Sequence, residues 1–276
     1  MRKNLKILIL DILGVILTGL VFLVPFYFII INSFKDSKEA SWMQLNLPTS
    51  YHIIENYKQV VEAQNGIIVR AFLNSFLLTL FSVIGVVIIS SMAGFVLQRR
   101  KDKFSGLWIF MILFGLVIPP ALVPTIWVLQ ALNIFKTLFS MVLMEMALLF
   151  PFSVLLYKGY MTSIPREIDE AAILDGCGRL RLFFRVIFPL LKPINITMIV
   201  LITIFVYSDF VNPLYFLPGA RNVTVQLTLF NFMGQWLTKW NLVFANVVLV
   251  SIPPLILYFF LNKQIIAGIV AGSLKE

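Results

Sequence analysis

One cysteine, Cys177, and one histidine, His52, stand in the whole chain. A lone cysteine excludes an internal disulfide. It also excludes a Cys/His metal cluster, so no metal site is expected, and a hydrolytic triad would need His52 as its base. His52 reads as a solvated loop residue, and Cys177, between two glycines, is assigned no chemistry. No stretch reads GxxxxGK[ST], so the chain carries no phosphate-binding loop of that type. Charge is scarce: 13% of the 276 residues are Asp, Glu, Lys or Arg, against about 25% in soluble domains. No low-complexity tract, soluble domain or convincing internal repeat is visible.

What fills the chain is apolar. Hydrophobic residues make up 60% of it, and mean hydropathy is +0.95. The net charge of +9 reads as a basic face on one side of a membrane, with no nucleic-acid partner expected. Crossing ~30 Å of hydrocarbon takes about 20 mostly apolar residues in a helix. Six runs qualify: 7–31, 71–97, 107–129, 138–156, 194–216 and 242–261. Backbone groups in lipid must be bonded within their own segment, so these runs are expected to be helices. The fold class is therefore all-α and integral to the membrane, with one domain over 1–276. The first run is too long for a signal peptide and is expected to be retained. Prolines predict kinks at Pro25 and Pro253-Pro254, and a broken helix at Pro119-Pro120-Pro124.

The basic residues orient the spans. With both termini inside, fifteen of the 22 Lys and Arg residues fall on inner segments and seven on outer ones. This bias predicts cytoplasmic termini and a cytoplasmic 157–193 segment. Two of the outer segments are substantial, 32–70 and 217–241. The first holds the turn signal Leu47-Pro48 and a short helix expected over Tyr51–Ala63. The second holds a strand-like Val223-Thr224-Val225 and the aromatics Trp236 and Trp240, which suit membrane anchoring or the docking of an external partner.

One polar stretch stands out inside this apolar chain: residues 165–178, followed by Arg179, Arg181 and Arg185. Pro165 suits a first helical turn, and Glu167, Asp169 and Glu170 suit the positive end of the helix dipole. Ile168, Ala171, Ala172 and Asp175 share one small, flat face. Gly176 and Gly178 can take positive φ and end the helix. Helix, turn, helix is the expected order over 163–187. Two readings stay open: an amphipathic surface loop, or a docking element for another protein.

Glu170-Ala171-Ala172, Asp175-Gly176 and Ile187-Phe188-Pro189 resemble the EAA loop of binding-protein-dependent ATP-binding-cassette importers. Further motifs resemble the carbohydrate branch, second permease of maltose and multiple-sugar type. These are Phe72-Leu73-Asn74-Ser75, Ala93-Gly94-Phe95 with Gln98-Arg99-Arg100, Ile118-Pro119, Tyr207-Ser208-Asp209-Phe210 with Asn212-Pro213-Leu214, and the tail from Gln264 to Lys275. Tyr207-Ser208 departs from the family's usual Trp-Asn.

The resemblance implies a permease subunit in a bacterial cytoplasmic membrane, not itself an enzyme. Its partners would be a second permease, two ATPase subunits that bind ATP and magnesium, an external solute-binding protein and the lipid bilayer. Residues Glu170, Ala171, Ala172, Asp175 and Gly176 would form the coupling surface, Glu170 pairing with a basic group and the alanines giving close approach. The tail over 264–276 would reach between the ATPase subunits. Acidic residues in or near spans, Asp11, Glu145 and Asp209, are functional candidates by their cost in lipid. Asp11, five residues from Lys6, suits interfacial snorkelling or a local pair, and Glu145 suits either structural pairing or cavity lining. Asp209, Asn212 and Tyr207 offer polar and aromatic groups that suit a sugar on a translocation pathway, or a helix–helix hydrogen bond. A secondary transporter or channel remains the alternative, as does a membrane-embedded enzyme, though no catalytic cluster supports the latter.

Overall fold

The computed structural model describes residues 5–100, 103–234 and 238–273, with side chains described over 10–100, 103–234 and 238–260. Helices follow in chain order: α1 (Leu5–Ser33), α2 (Ser37–Ser41), α3 (Ile53–Arg99), α4 (Ser105–Val117), α5 (Leu122–Ala131), α6 (Leu138–Met161), α7 (Glu167–Leu174), α8 (Arg179–Arg181), α9 (Phe188–Leu190), α10 (Lys192–Ser208), α11 (Val211–Phe216) and α12 (Trp240–Ser273). A π-helix over Leu182–Ile187 joins α8 to α9, and a 3-10 segment covers Val225–Phe232. No strand occurs among the described residues; Met233 and Thr238 form one isolated bridge.

Among the described residues, four helices are long and apolar enough to cross a membrane: Leu10–Ser33, Ile53–Arg99, Leu138–Met161 and Trp240–Phe260. Two bent pairs bring the number to six if each pair is one span. The first pair is α4 with α5, bent by 112°. Pro119 and Pro120 cause the break expected there. Neither has an N–H to donate, and Ile118 takes the extended backbone that a following proline demands, with ψ of 121°. The second pair bends by 80° between the α8–α9 stretch and α10.

Three expectations need correction. The second span is part of a longer helix, α3, whose first turns are the expected surface helix. Ala63–Gly66 leave helical geometry, and Gln64, Asn65 and Gly66 all have positive φ. Asn and Gly tolerate that conformation best, so the run Asn65-Gly66 is where the helix can turn. The fifth span is not continuous over 194–216, because Asp209 is extended and α11 starts anew. The strand-like 223–225 segment pairs with no strand. Its backbone is satisfied by side chains of α3 instead: Asn74 Nδ2 donates to the carbonyls of Val223 (2.9 Å) and Arg221 (3.3 Å), and Val225 N–H donates to Ser75 Oγ (2.9 Å).

The chain divides into two compact units, one drawn from the chain up to Ala71 with Leu227–Ile252, the other from Phe72–Gln226 with the chain from Pro253 on. The core of the second is closed by residues such as Leu78, Met141, Met161, Ile187, Met198 and Phe216, all at most 1% exposed. In that unit α3 and α6 touch backbone to backbone. A Cβ on Gly94 would lie 2.7 Å from Tyr157 Cβ and 2.9 Å from the Lys158 nitrogen. One on Gly85 would lie 2.5 Å from Met146 Sδ. Small residues allow such close helix approach, which in lipid replaces the hydrophobic effect as the source of packing energy. Tyr157 Oη donates to Asn195 Oδ1 at 2.8 Å, both groups buried, and fixes α6 against α10.

Candidate functional site

The polar stretch forms a short helix pinned at one face and free at the other. In α7, Asp169 is buried and faces inward. Its carboxylate accepts two bonds from the Arg99 guanidinium, Nε at 2.6 Å and Nη2 at 3.2 Å. Both side chains are mostly enclosed, at 14% and 12% exposure. A two-pronged Arg–carboxylate pair fixes geometry as well as charge. Arg99 Nη2 also donates to the Ile164 carbonyl (3.1 Å), and Arg166 Nη2 to the Gln98 carbonyl (3.1 Å). The end of α3 and the start of α7 are thus laced together on both sides.

This pairing rotates α7 relative to the face read from the sequence. Ala172 lies inward with Asp169, 8% exposed, and belongs to the core. Glu167, Glu170, Ala171, Ile173, Leu174 and Asp175 are exposed. The two alanines therefore serve different faces: Ala172 packs within the chain, and Ala171 lies in the open beside Glu170. Two apolar residues that the sequence reading passed over, Ile173 (58%) and Leu174 (88%), stand out into the surroundings.

The helix ends as expected at Gly176, with φ of +78°. The Gly176 N–H bonds the Ile173 carbonyl and the Cys177 N–H the Ala172 carbonyl, which satisfies two carbonyls of the last turn. Gly178 differs from expectation. Its φ is −69°, and it opens the next helix. The π-helix that follows has a local cause. Pro189 lacks the amide that would bond the Arg185 carbonyl, so the ladder widens and Phe188 N–H reaches Phe183 O. Buried Phe183 packs its ring against Phe95 (5.7 Å), Phe184 (5.1 Å) and Phe188 (5.9 Å), tying this segment to α3 a second time.

The second set of sequence candidates meets at the break of the fifth span. Asp209 Oδ1 accepts from the N–H groups of Val211 (3.0 Å) and Asn212 (3.2 Å), and Oδ2 accepts from Asn212 Nδ2 (2.8 Å). This caps α11 and explains why α10 stops. The buried Glu145 carboxyl faces the Asp209 side chain, and its Oε1 has no hydrogen-bond partner among the described residues. Tyr207, two residues earlier, lines a mostly apolar groove of about 440 Å³ with Phe72, Phe76, Ile204 and Pro253, where Thr79 and Thr203 are the hydroxyl-bearing neighbours. So Asp209 and Asn212 come together and face Glu145, and Tyr207 lines the groove.

His52 bonds Ser50 and Glu55 near the start of α3. No group of three or more potential metal ligands occurs among the described residues. Trp236, the Lys6 side chain expected to pair with Asp11, and the side chains of the 264–276 tail lie outside the described residues.

Comparison with known proteins places this geometry. Residues 85–270 match the family described as binding-protein-dependent transport system inner membrane component. The chain is 33% identical over 279 residues to a probable starch degradation products transport system permease protein of Thermoanaerobacterium thermosulfurigenes, covering 100% of both chains. It is 29% identical to a melibiose/raffinose/stachyose import permease protein of Bacillus subtilis, covering 91% of each. A crystal structure of a bacterial ABC transporter involved in the import of alginate shares the fold, with a TM-score of 0.80, 21% identity and coverage of 95% of this chain and 99% of that one. A match over residues 85–270, the break-and-anchor geometry of 165–189 included, makes this chain a member of the binding-protein-dependent transport system inner membrane component family.

Proposed function

We propose that this chain is a permease subunit of an ATP-driven importer for a sugar or oligosaccharide, delivered by an external binding protein. A second permease completes the pore, and two ATPase subunits, carrying ATP and magnesium, drive it from the cytoplasmic side of a bacterial inner membrane. The chain holds no cofactor of its own. The observation that carries the reading is α7: a helix rigidly held by Arg99 and Asp169 that leaves Glu170, Ala171, Leu174 and Asp175 free for a partner. The sugar class rests on relatives named for starch products and for melibiose, raffinose and stachyose.

The mechanism follows from how force enters. ATP binding closes the ATPase pair, and only a difference in binding free energy between two states can move the permease. On this reading Glu170 pairs with a basic group of the ATPase, Ala171 permits close approach, and Leu174 fills an apolar pocket. The Arg99–Asp169 pair and the Phe183 cluster pass the displacement to α3. The polar junction of Glu145, Asp209 and Asn212 lies where the fifth span is broken, and Asp209 and Asn212, with Tyr207, remain our candidates for the translocation path.

Reconstitution tests this. The chain, its partner permease, the ATPases and the binding protein are placed in liposomes, and oligosaccharide uptake is followed with and without ATP. Uptake that needs ATP, ATPases and binding protein together is expected. Uptake that continues without the ATPases would make the chain a secondary transporter.

A further inference from the structure

Beside the Ser33 end of α1 the chain is folded inside out. Asn32, Ser33 and Lys35 are fully buried, and Glu39 and Asn56 nearly so. Trp42, Met43, Leu45 and Leu47 are exposed instead, Trp42 at 56% and Leu47 at 62%. A loop bathed in water normally has the reverse polarity.

The inversion is held by a complete hydrogen-bond network. Lys35 Nζ donates to Asn32 Oδ1 (3.1 Å), the Gln44 carbonyl (2.8 Å) and Asn46 Oδ1 (3.0 Å), which uses all three of its donors. Asn32 Nδ2 reaches the same Gln44 carbonyl at 3.3 Å. Asn56 Nδ2 donates to the Ser33 and Lys35 carbonyls, each at 2.9 Å. Glu39 accepts from the Thr49 N–H and hydroxyl. Met43 takes a left-handed backbone, φ +50°, a strained geometry that turns the chain back toward α1. Burial draws the Lys35 pKa below its usual value, and the Glu39 carboxylate opposes the shift.

These bonds also fix depth. Asn32 sits in the last turn of α1 and touches Gln44, so residues 42–47 stand level with that turn. Between Asp11 and Asn32, α1 carries a stretch without charged side chains, 12–31, which at about 20 residues and ~1.5 Å per residue is about 30 Å long, against ~30 Å of hydrocarbon. The last turn of α1 therefore stands at the edge of the hydrocarbon. In the most apolar 18-residue window of α1 only 6% is buried within the chain, and the exposed apolar surface of α1 continues to Ile30, 43% exposed. The 42–47 surface continues that lipid-facing surface at its rim, and tryptophan favours such a boundary.

We propose that residues 42–47 are an interfacial anchor, with Trp42, Met43, Leu45 and Leu47 seated in the boundary between headgroups and acyl chains beside α1. A soluble partner would dock farther out, beyond the level of the last turn of α1, so the bilayer is the occupant these positions fit.

The test uses the whole transporter in phosphatidylcholine–phosphatidylglycerol nanodiscs, with Cys177→Ser as background. Single cysteines at Trp42→Cys, Leu45→Cys and Leu47→Cys carry spin labels, with Lys38→Cys and Ser50→Cys as aqueous references. Collision with oxygen, which favours lipid, is compared with collision with a water-soluble nickel chelate. The expected result is severalfold oxygen over nickel at 42, 45 and 47, and the reverse at 38 and 50. Nickel dominating at 42, 45 and 47 overturns the proposal. So does nickel access that vanishes only when the binding protein is added, which would make this a protein-docking surface.

Discussion

Asp169 and Glu170 are neighbours with opposite duties. Asp169 is an internal anchor. Breaking a buried, paired charge costs about 3–5 kcal/mol, since the partner is left uncompensated, and the pair is slightly open to its surroundings. Asp169→Asn is therefore expected to lower stability by about 3 kcal/mol, read as a fall in the unfolding midpoint of the detergent-purified chain. Arg99→Lys should lower it less, because charge survives and the fork does not. The Glu170 side chain is exposed and has no hydrogen bond or ion pair among the described residues, so Glu170→Lys should leave that midpoint unchanged. At the span break, Glu145→Gln keeps the size and polarity of the side chain that faces Asp209 and is expected to retain most uptake. Asp209→Leu removes the cap of α11 and is expected to abolish uptake, in a transport assay normalised to the amount of assembled complex. Asp209→Asn separates the roles of this residue. The amide oxygen still caps, so near-normal uptake marks a structural cap, and loss of uptake with intact ATP hydrolysis marks a pathway contact.

Among the elements, the α3–α6 contact depends on Gly94 having no side chain. Overpacking a tight site costs about 1–3 kcal/mol, and here part of the obstacle is the backbone nitrogen of Lys158, 2.9 Å from where a Cβ would stand. Gly94→Val is expected to reach or exceed the upper part of that range. Gly106→Ala, a site with nothing within 4 Å of the added carbon, should be nearly neutral in the same thermal unfolding measurement. The helices themselves were largely legible in the sequence. Long apolar runs mark α1, α3, α6 and α12, and adjacent prolines mark the α4–α5 break. The break at Asp209 was not legible, because a lone acid in an apolar run reads equally as a pathway residue and as a cap. The inward turn of Ala172 was hidden for another reason. Its cause is Arg99, seventy positions before Asp169, and helical periodicity contains no information about a partner that distant. The 223–225 segment has strand-like composition, but the amide and hydroxyl of Asn74 and Ser75 take its backbone bonds.

For the whole molecule, scarcity of charge and abundance of apolar surface established a membrane protein, and the family follows from residues 85–270. The polar stretch at 165–178 is where a chain without ATP chemistry of its own would receive the work of another. That claim meets its most direct test in co-purification. The transporter is expressed with an affinity tag on this chain, and ATPase recovery is measured for wild type, Glu170→Lys and Leu174→Asp, each first shown to keep its unfolding midpoint. The account predicts that both variants lose the ATPase while retaining the second permease. Stoichiometric ATPase on both variants, with normal ATP-driven uptake, would contradict it.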